Sequence, residues 1–205
     1  MFNLHRESSG VGAAARALVV RAPFAPCNCA LALTVPLTAN PPRQASQRMG
    51  AVAAQLLGVP RVRLYQSCVF IKEPGMGDTN WHSDLNMVPL DTNAFVTAWL
   101  PLRSLRAADA ALAFASGSHR DFALPYWMNE AGLAAGLEGR YEVESYAPLA
   151  LGDATWHAGW TLHSAPGQPA SEPARVALAA SYFADGARRL TSRCVCSWHG
   201  GVLRA

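Results

Sequence analysis

The sequence predicts a mainly β domain, a sandwich or barrel with helices only at its periphery, and three observations carry this. Short runs rich in β-branched and aromatic residues recur at Arg61–Lys72, Ala94–Leu102, Ala111–Ala115, Tyr141–Ser145 and Arg175–Phe183. Gly, Pro, Asn and Asp punctuate these runs, as turns between short strands require. Helical spacing is confined to a few places, so strands do not alternate with helices as in a parallel α/β sheet.

Taken in order, residues 1–43 hold a single acid, Glu7, against Arg6, Arg16, Arg21 and Arg43. The segment reads as a divergent N-terminal part with strands near Ala17–Arg21 and Ala30–Val35. Its acid-poor, Arg- and Ala-rich composition also overlaps with organellar import sequences. From Gln44 to Leu57, the residues Met49, Val52, Ala53, Leu56 and Leu57 recur on one helical face, and Gly58 and Pro60 end the helix. The β-rich runs follow. Residues 121–140 interrupt them with Tyr126, Trp127, Met128 and a short helix through Glu130–Leu137, a helical insertion or lid. Gly152-Asp153 reads as a turn after a strand at Pro148–Leu151. No internal repeat appears, and one domain over residues 1–205 is expected from the length.

Composition excludes several classes. No run of about 18 uninterrupted apolar residues is present, so no membrane-spanning helix is expected, and an intracellular, cytoplasmic protein is. The net charge is +3, and Lys72 is the only lysine. The arginines are scattered, without the dense basic stripe and interleaved aromatics of a nucleic-acid surface. Five cysteines make an odd count for a disulfide framework. The Cys27/Cys29 and Cys194/Cys196 pairs lack zinc-knuckle spacing and read as reduced thiols.

The chemistry concentrates in two stretches. In NWHSDLN, His82 and Asp84 stand two apart, and in an extended segment both side chains share a face. An imidazole and a carboxylate so placed supply two legs of a 2-His-1-carboxylate facial triad, which holds Fe(II) with three positions open for oxygen and a co-substrate. The third leg is a histidine from elsewhere. The others are His5, His119, His157, His163 and His199. His163 lies in GDATWHAGWTLHSAPG, and twelve residues later Arg175 opens a strongly apolar strand. A buried arginine there needs an anionic partner, and its planar fork suits a carboxylate.

The ordered set LYQSCVFIKEPG, NWHSD, VTAWLPL, ALAFASGSHR, GDATWHAGWTLHSAPG and RVALAASYF resembles the phytanoyl-CoA dioxygenase family from about Gln44 to Phe183. The resemblance implies a double-stranded β-helix (jelly roll, cupin-like). It also implies an Fe(II)- and 2-oxoglutarate-dependent dioxygenase that hydroxylates a small molecule with O2, giving succinate and CO2. Carried over by position, His82, Asp84 and His163 are the metal ligands and Arg175 grips the distal carboxylate of 2-oxoglutarate. Trp99 and Cys68 line the co-substrate pocket. Lys72 and Pro74 match a structural Lys-x-Pro turn, and Gly117-Ser118-His119 matches a turn that keeps His119 off the metal. His157 lies behind the ligands and, with Tyr65 and Trp81, is assigned to the substrate pocket; Trp156 and Trp160 are further aromatic candidates. The sequence departs from the family pattern at Asp109-Ala110, usually Asn-Gly, and at Ser116, usually Pro. Two other readings compete: a cupin-like metalloenzyme without 2-oxoglutarate, and a catalytically silent jelly-roll binding protein. Substrate identity and oligomeric state are not readable from the sequence.

Overall fold

Alternation along the β-rich runs decides the architecture, because each strand has an inner and an outer face. The computed structural model describes residues 18–20, 41–121, 137 and 139–190. Two antiparallel sheets form. The larger has five strands in the order β1 (Leu18–Val20), β7 (Ala154–Ala158), β4 (Phe95–Pro101), β9 (Arg175–Ala184) and β2 (Val62–Lys72). The smaller has four: β3 (Thr79–His82), β8 (His163–Ala165), β5 (Ala113–Ala115) and β6 (Val143–Ser145). Non-consecutive strands neighbour each other in both sheets, as expected of a jelly roll.

One helix, α1 (Pro41–Leu57), covers the outer face of the five-stranded sheet. It begins three residues before the expected start at Gln44, since a proline fits the first helical turn, where its missing N–H costs nothing. Its face packs Met49, Val52, Ala53, Leu56 and Leu57 onto Ala98, Trp156, Ala180 and Tyr182. Trp156 is therefore an outer-face core residue and no part of a substrate pocket. The inner face buries Trp99, Leu105, Ala111, Leu149 and Ala177 as a second cluster.

The sequence-predicted strands hold with adjusted limits. The one expected at Ala111–Ala115 starts at Ala113, because the Ala111 N–H turns back to the Asp109 carbonyl. Tyr141–Ser145 shortens to Val143–Ser145. Pro148–Leu151 forms no strand, only a bridge between Leu149 and Leu105, and the turn at Gly152 follows with φ 99°. A strand does form at Leu18–Val20, paired with β7. The strand expected at Ala30–Val35, most of the 121–140 insertion and both Cys-x-Cys pairs lie outside the described residues.

Candidate metal and carboxylate site

The site forms where the inner faces of the two sheets meet. His82, the last residue of β3, is in register with His163, the first of β8, and His163 with Phe114 on β5. Register partners share a face, so the two imidazoles lie side by side with ring centroids 4.2 Å apart. Asp84 arrives differently from its sequence expectation: β3 ends at His82, and Asp84 opens a single 3-10 turn, Asp84–Met87. Ser83 between them stays extended at φ −121°, ψ 140°, which preserves the shared face of residues 82 and 84. The turn is anchored by the Leu85 N–H donating to the Gly159 carbonyl. One ligand atom from each of His82, Asp84 and His163 lies within 4.8 Å of the others, close enough for a single ion.

Hydrogen bonds fix how each ligand points. His82 Nδ1 lies 2.8 Å from the Asn80 carbonyl and His163 Nδ1 lies 2.9 Å from that of Thr161. A carbonyl only accepts, so each ring carries its proton on Nδ1, and Nε2 keeps a lone pair for a metal. Burial, with His157 beside it, pushes the His163 imidazole down to about 3, which keeps the ring neutral and able to ligate. Burial alone would raise the Asp84 carboxyl. The neighbouring His163 and His157 and the Thr97 hydroxyl outweigh it and hold the group well below the usual carboxylate range. Its Oδ2 accepts from Thr97 Oγ1 at 2.6 Å and from His157 Nε2 at 3.2 Å. Thr97 is itself 2.9 Å from Ser181 Oγ. Oδ1, 3.6 Å from His163 Nε2, is the oxygen turned to the ligand corner.

The inner face of the five-stranded sheet supplies a second corner. Arg175 opens β9 opposite Lys72 at the end of β2, and both are buried. Arg175 Nη1 donates to the Ala110 carbonyl at 3.0 Å, its Cζ lies 5.4 Å from the Trp99 ring centroid, and its Nε is buried without a partner. Burial lowers the Arg175 guanidinium and, aided by Arg175, the Lys72 ammonium. Lys72 Nζ donates to the carbonyls of Ala165 (3.3 Å) and Pro166 (2.8 Å), tying β2 to the end of the strand that carries His163. Two buried cations and an orphaned guanidinium N–H make a fitting cradle for a carboxylate.

The remaining sequence candidates divide. Trp99 and Cys68 both stand opposite Ala179, one on each side of β9, in a row of the inner face four residues along the strand from Arg175. His157 reaches the site, but as a partner of the Asp84 carboxylate rather than as a pocket wall. Trp81 belongs elsewhere: next to His82 on an alternating strand it faces the other way, packing with Ala115, Leu137 and Leu162. Tyr65 packs edge-on against Phe95 and Phe183, ring centroids 5.6 and 6.4 Å away. Trp160 donates to Asn93 Oδ1. His119 sits in the turn after Gly117, where Ser118 Oγ accepts the Leu162 N–H and steadies the approach to His163. Ser116, the unusual residue of that turn, donates to Glu144 Oε2 at 2.5 Å. Sequence reasoning missed Thr97 and Ser181. Their signal was a hydroxyl at an inward position of an otherwise apolar strand.

Comparison with known proteins bears on the family and the fold. The phytanoyl-CoA dioxygenase (PhyH) family model matches residues 18–175. No curated protein matches the chain. Among solved structures it is similar to the non-haem alpha-ketoglutarate-dependent carbocyclase SnoK from nogalamycin biosynthesis, with 24% identity and a TM-score of 0.60 over 69% of this chain and 58% of that one. The alpha-ketoglutarate-dependent epimerase SnoN of the same biosynthesis gives 26% identity and a TM-score of 0.59, over 78% of this chain and 64% of that one. EctD from S. alaskensis, solved with 2-oxoglutarate and 5-hydroxyectoine, gives 21% and 0.59, over 70% and 51%. The chain thus spans about three fifths of the length of the first two (58% and 64%). The fold is the double-stranded β-helix of these oxygenases, and no helix among the described residues is long and apolar enough to cross a membrane.

Proposed function

The chain belongs to the phytanoyl-CoA dioxygenase family, and from that premise we propose that it is an Fe(II)- and 2-oxoglutarate-dependent oxygenase, one catalytic domain that hydroxylates a small organic molecule with succinate and CO2 as co-products. The observation that carries the reading is the corner of His82, Asp84 and His163, in which every polar atom not turned to a ligand is already bonded within the protein. Two neutral nitrogens and one hard anionic oxygen suit a divalent iron and leave part of its coordination sphere open.

His82 and His163 would hold the ion through Nε2, and Asp84 through Oδ1. Bound there, iron supplies oxygen activation coupled to oxidative decarboxylation of 2-oxoglutarate. The protein's share is placement. Arg175 takes the far carboxylate of the co-substrate with Nε and the free edge of its fork, Trp99 fixes the guanidinium plane, and Lys72 adds positive potential beside it. Thr97 and His157 keep Asp84 ionised and confined to one coordinating oxygen. An aspartate at this position favours hydroxylation over halogenation, since a halide needs the coordination place that the carboxylate occupies.

The test is anaerobic loading with Fe(II), then oxygen and 2-oxoglutarate with a panel of small apolar and polyhydroxylated substrates. Succinate should form, in uncoupled turnover at least, and labelled oxygen gas should place one labelled atom in the hydroxylated product. No succinate under any condition would sink the reading. Succinate with product lacking the label would instead favour a ring closure or epimerisation like those for which the two nogalamycin enzymes are named. Unchanged turnover by Arg175→Ala would favour a metalloenzyme that uses no 2-oxoglutarate.

A further inference from the structure

The loop between β4 and β5 builds a charged structure separate from the ligand corner. Asp109 has a fully buried side chain, and its carboxylate accepts four hydrogen bonds. Oδ1 receives Arg103 Nη2 (2.5 Å) and Gln168 Nε2 (3.1 Å), and Oδ2 receives Arg103 Nη1 (3.0 Å) and the Arg106 N–H (2.7 Å). Such two-pronged pairing fixes direction as well as charge. Arg103 then reaches the chain just before Arg175: Nη2 donates to the Pro173 carbonyl at 3.0 Å and Nε to that of Ala174 at 2.9 Å. Gln168, also buried, accepts the Ala110 N–H on Oε1 at 3.1 Å and donates to the Pro173 carbonyl at 2.7 Å. The carbonyl of that same Ala110 receives Arg175 Nη1.

Both the backbone leading into Arg175 and the acceptor that orients its guanidinium therefore hang from one half-buried ion pair. Such a pair is poor evidence of stabilisation by itself, because desolvating the buried carboxylate offsets much of the attraction. Geometry is what it supplies here. Arg175 stands opposite a second cation, and among the described residues its one hydrogen bond is to Ala110. Without a fixed acceptor the guanidinium would turn away from Lys72 and lose its aim at a ligand.

We infer that Asp109, acting with Arg103 and Gln168, is a positioning residue for Arg175 that sets the protein's affinity for the far carboxylate of a dicarboxylate co-substrate. This rests on the reading of Arg175 given above, and the test separates the two. 2-Oxoglutarate is titrated calorimetrically into the full chain loaded with Zn(II), which suits the same nitrogen and oxygen donors without turnover. The titration is repeated with 2-oxobutyrate, which has the same chelating end and no far carboxylate.

Arg175→Met should weaken 2-oxoglutarate about 100-fold, the scale of lost charge-assisted hydrogen bonds. Asp109→Asn should weaken it about tenfold and, in the Arg175→Met background, less than about twofold, because coupled residues are not additive. None of the three should alter 2-oxobutyrate binding. If Asp109→Asn cost the same with and without Arg175, or weakened 2-oxobutyrate equally, Asp109 would be a general fold element and the inference overturned. If Arg175→Met left 2-oxoglutarate binding intact, the co-substrate reading itself would fail. Should Asp109→Asn not fold, Gln168→Met, which leaves the ion pair in place, carries the same comparison.

Discussion

At the ligand corner each polar atom of His82, Asp84 and His163 that would not face a metal is already bonded within the protein, while at the Arg175 corner two cations share a buried surface and one guanidinium N–H has no acceptor. The first corner is electrically settled, with the neutral His163 imidazole beside an ionised carboxylate. The second is settled only when an anion arrives. The difference shows why the two corners should respond oppositely to loss of a residue. Removing a ligand removes affinity from a finished site, whereas removing a cation relieves the ligand-free protein and harms only the liganded one.

The largest effect should come from His163→Ala, which takes one of three ligands. Metal affinity should fall about a thousandfold, roughly one ligand's share of a structural site's binding energy, as read by competitive titration against a coloured chelator. Arg175→Met comes next. The ligand-free melting temperature should hold or rise, because a buried like-charge pair is relieved. At 100 times the wild-type Kd, 2-oxoglutarate would stabilise wild type by about 2.7 kcal/mol, and the 100-fold weaker variant by only about 0.4 kcal/mol. A fall in the ligand-free melting temperature as large as in His163→Ala would erase the contrast between the corners.

Gly159→Ala tests how the corner is held from behind. A methyl there would collide with the Leu85 side chain and meet Phe95 Cδ1 at 3.0 Å, pushing the turn that begins at Asp84. Overpacking of this kind costs about 1–3 kcal/mol, visible in denaturant unfolding, and should weaken metal binding as well. Thr97→Val, nearly isosteric, removes one of the two donors on Asp84 Oδ2 and should lower metal affinity about tenfold. Thr97 helps hold the Asp84 carboxyl down, so its loss raises that carboxyl. The acid limb of metal uptake should therefore move to higher pH, which metal titrations carried below pH 4 would show.

The smallest effect concerns Asp109. Hydrogen bonds from Arg103, against the pull of burial, hold its carboxyl below the ordinary range, with the Arg106 N–H and Gln168 helping. A folded value below the unfolded one, about 3.9, means the stabilising contribution is complete above that pH and fades as pH falls beneath it. Asp109→Asn should flatten the acid limb of stability below about pH 4. A wild-type acid limb reproduced unchanged by the variant would show that another carboxylate sets it.

The sequence by itself determined the β-rich class, the amphipathic helix ending at Leu57 and the two-residue spacing of His82 and Asp84. These follow from local periodicity and from a short extended segment, which depend on few neighbours. It also singled out Arg175, because a lone charge opening an apolar strand is anomalous on any fold. Tertiary structure alone decided the rest. Whether Trp81 faced the site turned on strand alternation beyond His82, and whether Trp156 did turned on which sheet face α1 covered. Asp84 came from a turn anchored by Leu85 on Gly159, a contact across 74 positions of sequence. Thr97 and His157 converge on one carboxylate oxygen, with Ser181 bonded to Thr97 behind it, only because register sets the three side by side across three strands. The role of Asp109 was illegible for the same reason. Arg103 shares its loop, but Gln168 and the chain before Arg175 lie on the loop between β8 and β9, and hydrogen bonds between loops leave no period in the sequence.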